Sequence, residues 1–174
     1  MEYPTFSPPI HLAIKPPKKW SNLEAKTYFE WFLSSLESRV DKFFNFLDLD
    51  RTLECEILLR EAQDKCEKLL ATGEFTQILP TGPKLNNMGY ALAADLGLVV
   101  ASMLIKQSKG QVSWSILKKP KSSQSYNLPV LIGFNTVHLD PIGGSIAEMS
   151  WIVKGNINLN AWVKIYKYWS TKIV

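Results

Sequence analysis

Histidine and cysteine are scarce in this 174-residue sequence, and each scarcity removes a class of function. The only two histidines are His11 and His138, which excludes a metal site built from several histidines, and we expect neither a metal nor another cofactor. The only two cysteines, Cys55 and Cys66, are eleven residues apart within a helical pattern. At that spacing on a helix they lie roughly 16 Å apart, beyond the ~7 Å limit for a disulfide. We therefore expect free thiols in a reducing cytoplasm.

Signatures of secretion, catalysis and nucleic-acid recognition are also missing. The N-terminus has no basic segment followed by an apolar one, so no signal peptide is predicted. No P-loop lysine, strand-linked G-x-G-x-x-G or G-x-S-x-G motif occurs. Residues 80–174 contain no arginine, the residue that most often binds bases and phosphates. These absences favour a non-enzymatic protein and make specific nucleic-acid binding unexpected.

One long apolar stretch dominates what is present. It runs from Tyr90 to Lys106, and Asp95 is the only charged residue between Ala91 and Ile105. This stretch, with its single charge, is shorter than the ~20 residues that span a bilayer, so it predicts a buried core helix and no transmembrane segment. Asp95 has two interpretations, either the exposed edge of this helix or a buried carboxylate and hence a candidate site.

The same stretch contains a ridge of small residues. They recur at every fourth position, as Gly89, Ala93, Gly97 and Ala101. Residues at this spacing share one face of a helix, so another backbone is expected to approach this face closely.

Two amphipathic helices are predicted before the core helix. Ser21 and Glu24 have the spacing of a capping box, and apolar residues then follow one helical face as far as Leu47. The opposite face of this helix is charged and includes Arg39. A second helical pattern continues to about Ala71, and the short turn between the two patterns predicts an antiparallel helical hairpin.

The chain after the core helix predicts strands and then helices. Gln111 to Leu117 alternates apolar and polar residues, and Leu128 to Phe134 is nearly all apolar, so we expect an antiparallel β-hairpin. Ser145 and Glu148 have the spacing of a second capping box, and a last apolar helical face begins near Trp162. The predicted fold class is α+β, with a helical hairpin and a buried core helix on a small antiparallel sheet, followed by two shorter helices.

The first twenty residues differ in composition from the rest. Five prolines fall within them, which disfavours regular helix and favours extended structure. We therefore divide the chain into an extended, proline-rich arm, residues 1–20, and a single α+β domain, residues 21–174.

Charge is divided unevenly along the chain. Residues 21–79 carry seven basic and twelve acidic side chains, whereas residues 80–174 carry ten basic and three acidic ones. Either the basic half binds an acidic protein partner, or the acidic helices pack beside it and neutralise it.

The loop from Lys118 to Asn127 is the predicted binding surface. It is longer than a hairpin connection requires, and it carries Lys118, Lys119, Lys121 and Tyr126. Tyrosine is enriched at interface centres and lysine is depleted there, so the lysines are expected to steer a partner from a rim around Tyr126. The alternative is a solvated loop without a partner.

A second candidate site consists of Asp95, His138 and Asp140. A pocket formed by these three side chains would indicate a small enzyme or a small-ligand-binding protein. His138 and Asp140 are two residues apart and would share one face of a strand. A triad with Ser145 is not favoured, because the surrounding sequence lacks a nucleophile elbow.

The second half resembles a known group of sequences. The residues that match are Asp95 and Gly97 on a helix, Trp114 on a strand, Pro129, Val130 and Leu131 on the next strand, and the Asp140–Pro141 turn. In this order they resemble a group of small uncharacterised bacterial proteins, some of them similar to immunity proteins of toxin systems. The resemblance covers roughly residues 90–155 and carries no established activity or site residue. For function we expect a non-enzymatic, intracellular interaction protein of the immunity kind, with a small enzyme or small-ligand-binding protein as the alternative.

Overall fold

The computed structural model describes residues 2–174, and helices dominate it. About 54% of the chain is helical and 11% is in strands, which confirms the α+β class. The helices are α1 (Ile10–Ala13), a 3₁₀ helix (Pro17–Lys19), α2 (Asn22–Leu47), α3 (Cys55–Ala71), α4 (Asn87–Gln107), α5 (Pro141–Val153) and α6 (Ala161–Ser170). The strands are β1 (Thr76–Leu79), β2 (Gly82–Leu85), β3 (Ser113–Ile116) and β4 (Pro129–Ile132). They form two separate antiparallel hairpins, β1–β2 and β3–β4, where one small sheet was predicted.

Helix α4 is the predicted core helix. Every residue from Ala91 to Ala101 is buried, and α4 packs against α2, α3, α5 and α6. The helix has 21 residues, and by length and composition alone it could cross a membrane. The buried core helices of soluble proteins meet the same criterion. An apolar stretch of 18 residues within this helix has a mean hydropathy of 1.8, and 72% of it is buried within the domain.

The middle of the ridge, at Ala93 and Gly97, faces α5, whereas Gly89 packs against the backbone of Phe75. A Cβ atom added to Gly97 would lie 2.3 Å from the carbonyl oxygen of Pro141, a distance that no real side chain tolerates. One turn earlier on α4, the Ser145 hydroxyl donates a hydrogen bond of 2.6 Å to the carbonyl oxygen of Ala93. The ridge therefore lets the two helices approach at backbone distance, as the spacing predicted.

The start of α5 was placed wrongly from the sequence. Ser145 is not the N-cap. The helix begins at Pro141, and the side chain of Asp140 caps it by accepting a hydrogen bond of 2.8 Å from the amide of Gly143. Ser145 lies inside the helix, is buried, and accepts a hydrogen bond of 2.8 Å from the Trp162 indole. Proline at the first helical position after an aspartate is itself a start signal, and it competes here with the capping-box pattern.

Other local predictions are confirmed. Ser21 and Glu24 form the capping box of α2, with their reciprocal hydrogen bonds at 3.2 and 2.6 Å. The β3–β4 hairpin pairs Ser113 with Ile132 and Ile116 with Pro129. Pro129 is the first residue of its strand, where the missing amide donor is tolerated.

The N-terminal arm is not wholly extended. Pro9 precedes the single helical turn α1, and Pro17 opens the 3₁₀ helix, because proline is tolerated where the amide has no helical partner. The arm lies against the domain, with Tyr3, Leu12 and Trp20 buried.

Candidate functional site

Three groups of side chains are candidates for a functional site: the two predicted from the sequence and one cluster that was not predicted. The unpredicted cluster joins Tyr3 of the arm, Arg39 of α2 and Asp95 of α4. The Arg39 guanidinium donates to both carboxylate oxygens of Asp95, with Nε at 2.9 Å from Oδ1, and the Tyr3 hydroxyl donates to Oδ2. Asp95 is fully buried and Arg39 nearly so. Of the two interpretations of Asp95, the buried carboxylate is correct and the exposed helix edge is wrong.

Arg39 also holds the backbone of the arm. Its Nη1 donates to the carbonyl oxygens of Pro4 at 2.7 Å and Thr5 at 3.3 Å. The guanidinium carbon lies 4.2 Å from the centroid of the Phe6 ring, a favourable cation–π distance. Arg39 therefore connects the core helix to the arm through its carboxylate and carbonyl partners together.

Burial and the neighbouring positive charge shift the pKa of Asp95 in opposite directions. Burial raises the pKa of this carboxyl to about 6, although the hydrogen bond and charge of Arg39, and the Tyr3 hydroxyl, all lower it. Burial, with the neighbouring Asp95 charge, raises the pKa of Tyr3 far above its ordinary value, so this phenol remains a donor. Both Asp95 oxygens are occupied and shielded from solvent, and the cluster therefore anchors structure without offering a reactive group.

Asp95, His138 and Asp140 are not brought into one site. The Asp140 carboxylate accepts from the Ser125 hydroxyl and from the amide of Gly143, whereas Asp95 is bound by Arg39 and Tyr3. His138 is half-buried and lies two residues before Asp140 along the chain. Within residues 2–174, no hydrogen bond or ion pair connects any two of the three.

The candidate metal ligands and the two cysteines have the following arrangement in the structure. The described part of the chain has no group of three or more His, Cys, Asp or Glu side chains able to hold a metal ion. Both cysteines are free, as expected, with Cys55 half-buried and Cys66 buried.

The loop from Lys118 to Asn127 has a fixed conformation. Asn127 is buried, and its side-chain amide donates to the carbonyl oxygens of Pro17 at 2.9 Å and Trp20 at 3.3 Å. Ser125 is also buried and donates to Asp140. The ammonium of Lys118 binds Asn127 Oδ1 at 3.0 Å and Asn22 Oδ1 at 3.2 Å. The loop is therefore docked onto the arm and the start of α2.

Docking of the loop joins two groups of lysines. Lys119 and Lys121 are exposed, Lys118 is half-buried, and the Lys18 ammonium lies 3.3 Å from the carbonyl oxygen of Ser122. We call this surface the basic patch, which consists of Lys18, Lys19, Lys118, Lys119 and Lys121. No member forms an ion pair with a carboxylate in residues 2–174. Tyr126, the predicted centre of the surface, is half-buried.

The sequence could not place Lys18 beside the loop, because about a hundred residues separate the two segments. The adjacent lysines in the arm were the only available signal. Neutralisation by the acidic half occurs elsewhere, where Lys167 of α6 pairs with Glu56 of α3 at 2.9 Å. The acidic helices therefore neutralise part of the basic half at this contact, while binding of an acidic partner stays a prediction.

Comparison with known proteins adds no relative. No protein-family model, curated protein or solved structure matches this chain. The resemblance over residues 90–155 stays a prediction, and the function must be argued from the geometry of the chain itself.

Proposed function

We propose that this protein is a non-enzymatic interaction protein that binds an acidic protein partner through the basic patch. One observation carries the proposal, namely that Asn127 docks the loop onto the arm and so places lysines from two distant segments on one surface. Clustered charges of one sign attract a partner of the opposite sign and raise the rate of encounter.

The fixed conformation of the loop supports binding over the alternative of a solvated loop. Ser125, Asn127 and Lys118 hold the backbone through side-chain hydrogen bonds. A surface ordered before contact loses little conformational entropy on binding. Tyr126 is half-buried, so we assign the lysines the main role and Tyr126 a smaller contact at their edge.

The partner is proposed to be a protein and not a nucleic acid. All five cations of the basic patch are lysines, and lysine lacks the planar, bidentate guanidinium that recognises phosphates and bases. A toxin neutralised by an immunity-type protein would be one acidic partner consistent with the resemblance. The free thiols of Cys55 and Cys66 support an intracellular, reducing location.

A matched pair of charge reversals tests the proposal. The test variant is Lys119→Glu with Lys121→Glu, and the control is Lys84→Glu with Lys154→Glu, which makes the same change of net charge at exposed positions outside the patch. Association with immobilised poly-L-glutamate is measured by biolayer interferometry at low and at physiological ionic strength. We expect the test variant to associate about ten-fold more slowly at low salt, since electrostatic steering changes on-rates by ~10–1,000-fold, while the control stays near wild type.

Two results would contradict the proposal. One is equal slowing by both variants, which would show that net charge alone governs association. The other is binding to a DNA duplex as tight as binding to polyglutamate, which would indicate a nucleic-acid partner. Thermal melting of both variants verifies that the loop remains folded.

A further inference from the structure

A groove separate from the basic patch lies between the arm and helices α2, α4 and α5. Its volume is about 660 Å³, within the ~300–1,000 Å³ of small-molecule sites. Phe32 of α2 and Ala94 of α4 line it, with Ile142 and Ile146 of α5 and Phe6 of the arm. We call it the arm groove.

Within the described residues, no side chain that is charged at neutral pH lines the arm groove. Its lining has no Asp, Glu, Lys, Arg or His side chain. The nearest buried charges, Arg39 and Asp95, already bind each other. An ionic ligand would lose hydration here without gaining a counter-charge, so the groove favours an uncharged molecule.

Four polar side chains line the groove, those of Thr5, Tyr28, Asn87 and Tyr90, and of these Tyr28 is the one packed between two other aromatic rings. The hydroxyl of Tyr28 forms no hydrogen bond within residues 2–174, and its burial raises the pKa to about 12. The Tyr28 ring is fixed between Trp20 and Trp31, at centroid distances of 4.7 and 5.2 Å. The hydroxyl is thus a positioned donor beside an apolar surface, the arrangement that orients a ligand in most small-molecule sites.

We propose that the arm groove binds an uncharged small molecule that has an apolar, aromatic-sized body and a carbonyl-type acceptor. The body lies against Phe6, Ile142 and Ile146, half-buried apolar residues of the groove, between the arm and α5, and the Tyr28 hydroxyl donates to the acceptor.

The uncharged naphthalene ketone Prodan is a suitable probe, because its fluorescence reports both apolar surroundings and hydrogen bonding to its carbonyl. The anionic naphthalene 8-anilinonaphthalene-1-sulfonate is the matched charged probe. We expect saturable binding of Prodan and at least ten-fold weaker binding of the sulfonate. Comparable affinities would overturn the assignment to an uncharged ligand.

Variants then locate the site. Ala13→Trp places a bulky ring at an exposed position on the groove wall, and Ala71→Trp does the same at a second cavity, which is lined by α3, β2 and the end of α5. We expect Ala13→Trp to abolish Prodan binding and Ala71→Trp to leave it unchanged. Unchanged binding to a folded Ala13→Trp protein, or equal loss in both variants, would overturn the proposal.

Tyr28→Phe provides a second test that does not depend on filling the groove. Loss of one neutral hydrogen bond should weaken Prodan binding about three- to ten-fold and shift its emission to the blue. Retained affinity and an unshifted spectrum would remove Tyr28 from the site. Circular dichroism and thermal melting of each variant separate loss of the site from loss of the fold.

Discussion

Replacing Gly97 by alanine tests the close packing of α4 on α5. The added Cβ would lie 2.3 Å from the carbonyl oxygen and 2.9 Å from the carbonyl carbon of Pro141. These are backbone atoms in the first turn of α5, so they cannot move aside as the end of a flexible side chain could. Overpacking of a core typically costs ~1–3 kcal/mol, whereas alanine gains only ~1 kcal/mol over glycine inside a helix. We therefore expect Gly97→Ala to lower the free energy of unfolding by up to about 2 kcal/mol, and Gly97→Leu to lower it further.

The chain supplies a matched control in α5. Gly144 is exposed, and a Cβ atom added there would meet nothing within 4 Å. Two effects then remain: alanine has a higher helix propensity than glycine, and it restricts the unfolded chain more. Gly144→Ala should therefore raise the free energy of unfolding by ~0.4–1 kcal/mol. The same substitution is thus expected to have opposite signs on the two helices.

Urea unfolding followed by tryptophan fluorescence measures both changes. A shift of the midpoint at constant slope is a change in stability without a change in the surface exposed. If Gly97→Ala matches or exceeds the wild type while Gly144→Ala is stabilised, the helices are farther apart than described and the ridge has no packing role.

Two further predictions concern buried ionisable groups. The pKa of Asp95 is about 6 in the folded protein, above its ordinary value of 3.8, so the folded state holds this proton more tightly and stability is lost as the pH rises from about 4 to about 6. The unfolding free energy of the wild type relative to Asp95→Asn should therefore fall by about 2–3 kcal/mol between pH 4 and pH 7, and a rise would mean that Arg39 outweighs burial. For the thiols, Ellman's reagent should react with Cys55 in the native protein but not with Cys66, which is buried and whose pKa burial raises. After denaturation without reductant both should react, and fewer than two thiols per chain would contradict the free-thiol state.

The elements predicted correctly are those with local signals. The α2 helix carries its own capping box at Ser21 and Glu24 and a continuous apolar face. The β3–β4 hairpin follows from an alternating run and an apolar run joined by a polar loop, and Pro129 is tolerated at the start of its strand. In both cases the signal lies in segments that are consecutive along the chain, so periodicity and spacing are sufficient.

The misplaced or missed features depend on distant contacts. Arg39 falls on the polar face of α2 by periodicity, and only its contact with Asp95 in another helix explains its burial. Tyr3 lies in a segment without periodicity, so no sequence pattern predicts its place in the core. Ser145 has the spacing of a helix cap, but it lies inside α5. There its hydroxyl donates to the carbonyl oxygen of Ala93 and accepts from the Trp162 indole. A one-dimensional pattern cannot rank such alternatives, because their energies are decided by neighbours in space.

The N-terminal arm links both proposed surfaces, and this gives a physical reason for the charge in the core helix. A buried ion pair contributes little net stability, since desolvation offsets much of the attraction. Arg39, however, binds Asp95 and the carbonyl oxygens of Pro4 and Thr5 together, so the pair fixes where the arm lies. The residues that follow Thr5 form one wall of the arm groove, and the segment containing Lys18 accepts the docked loop. We therefore expect Asp95 to influence both proposed surfaces through the position of the arm, although it lies in neither of them.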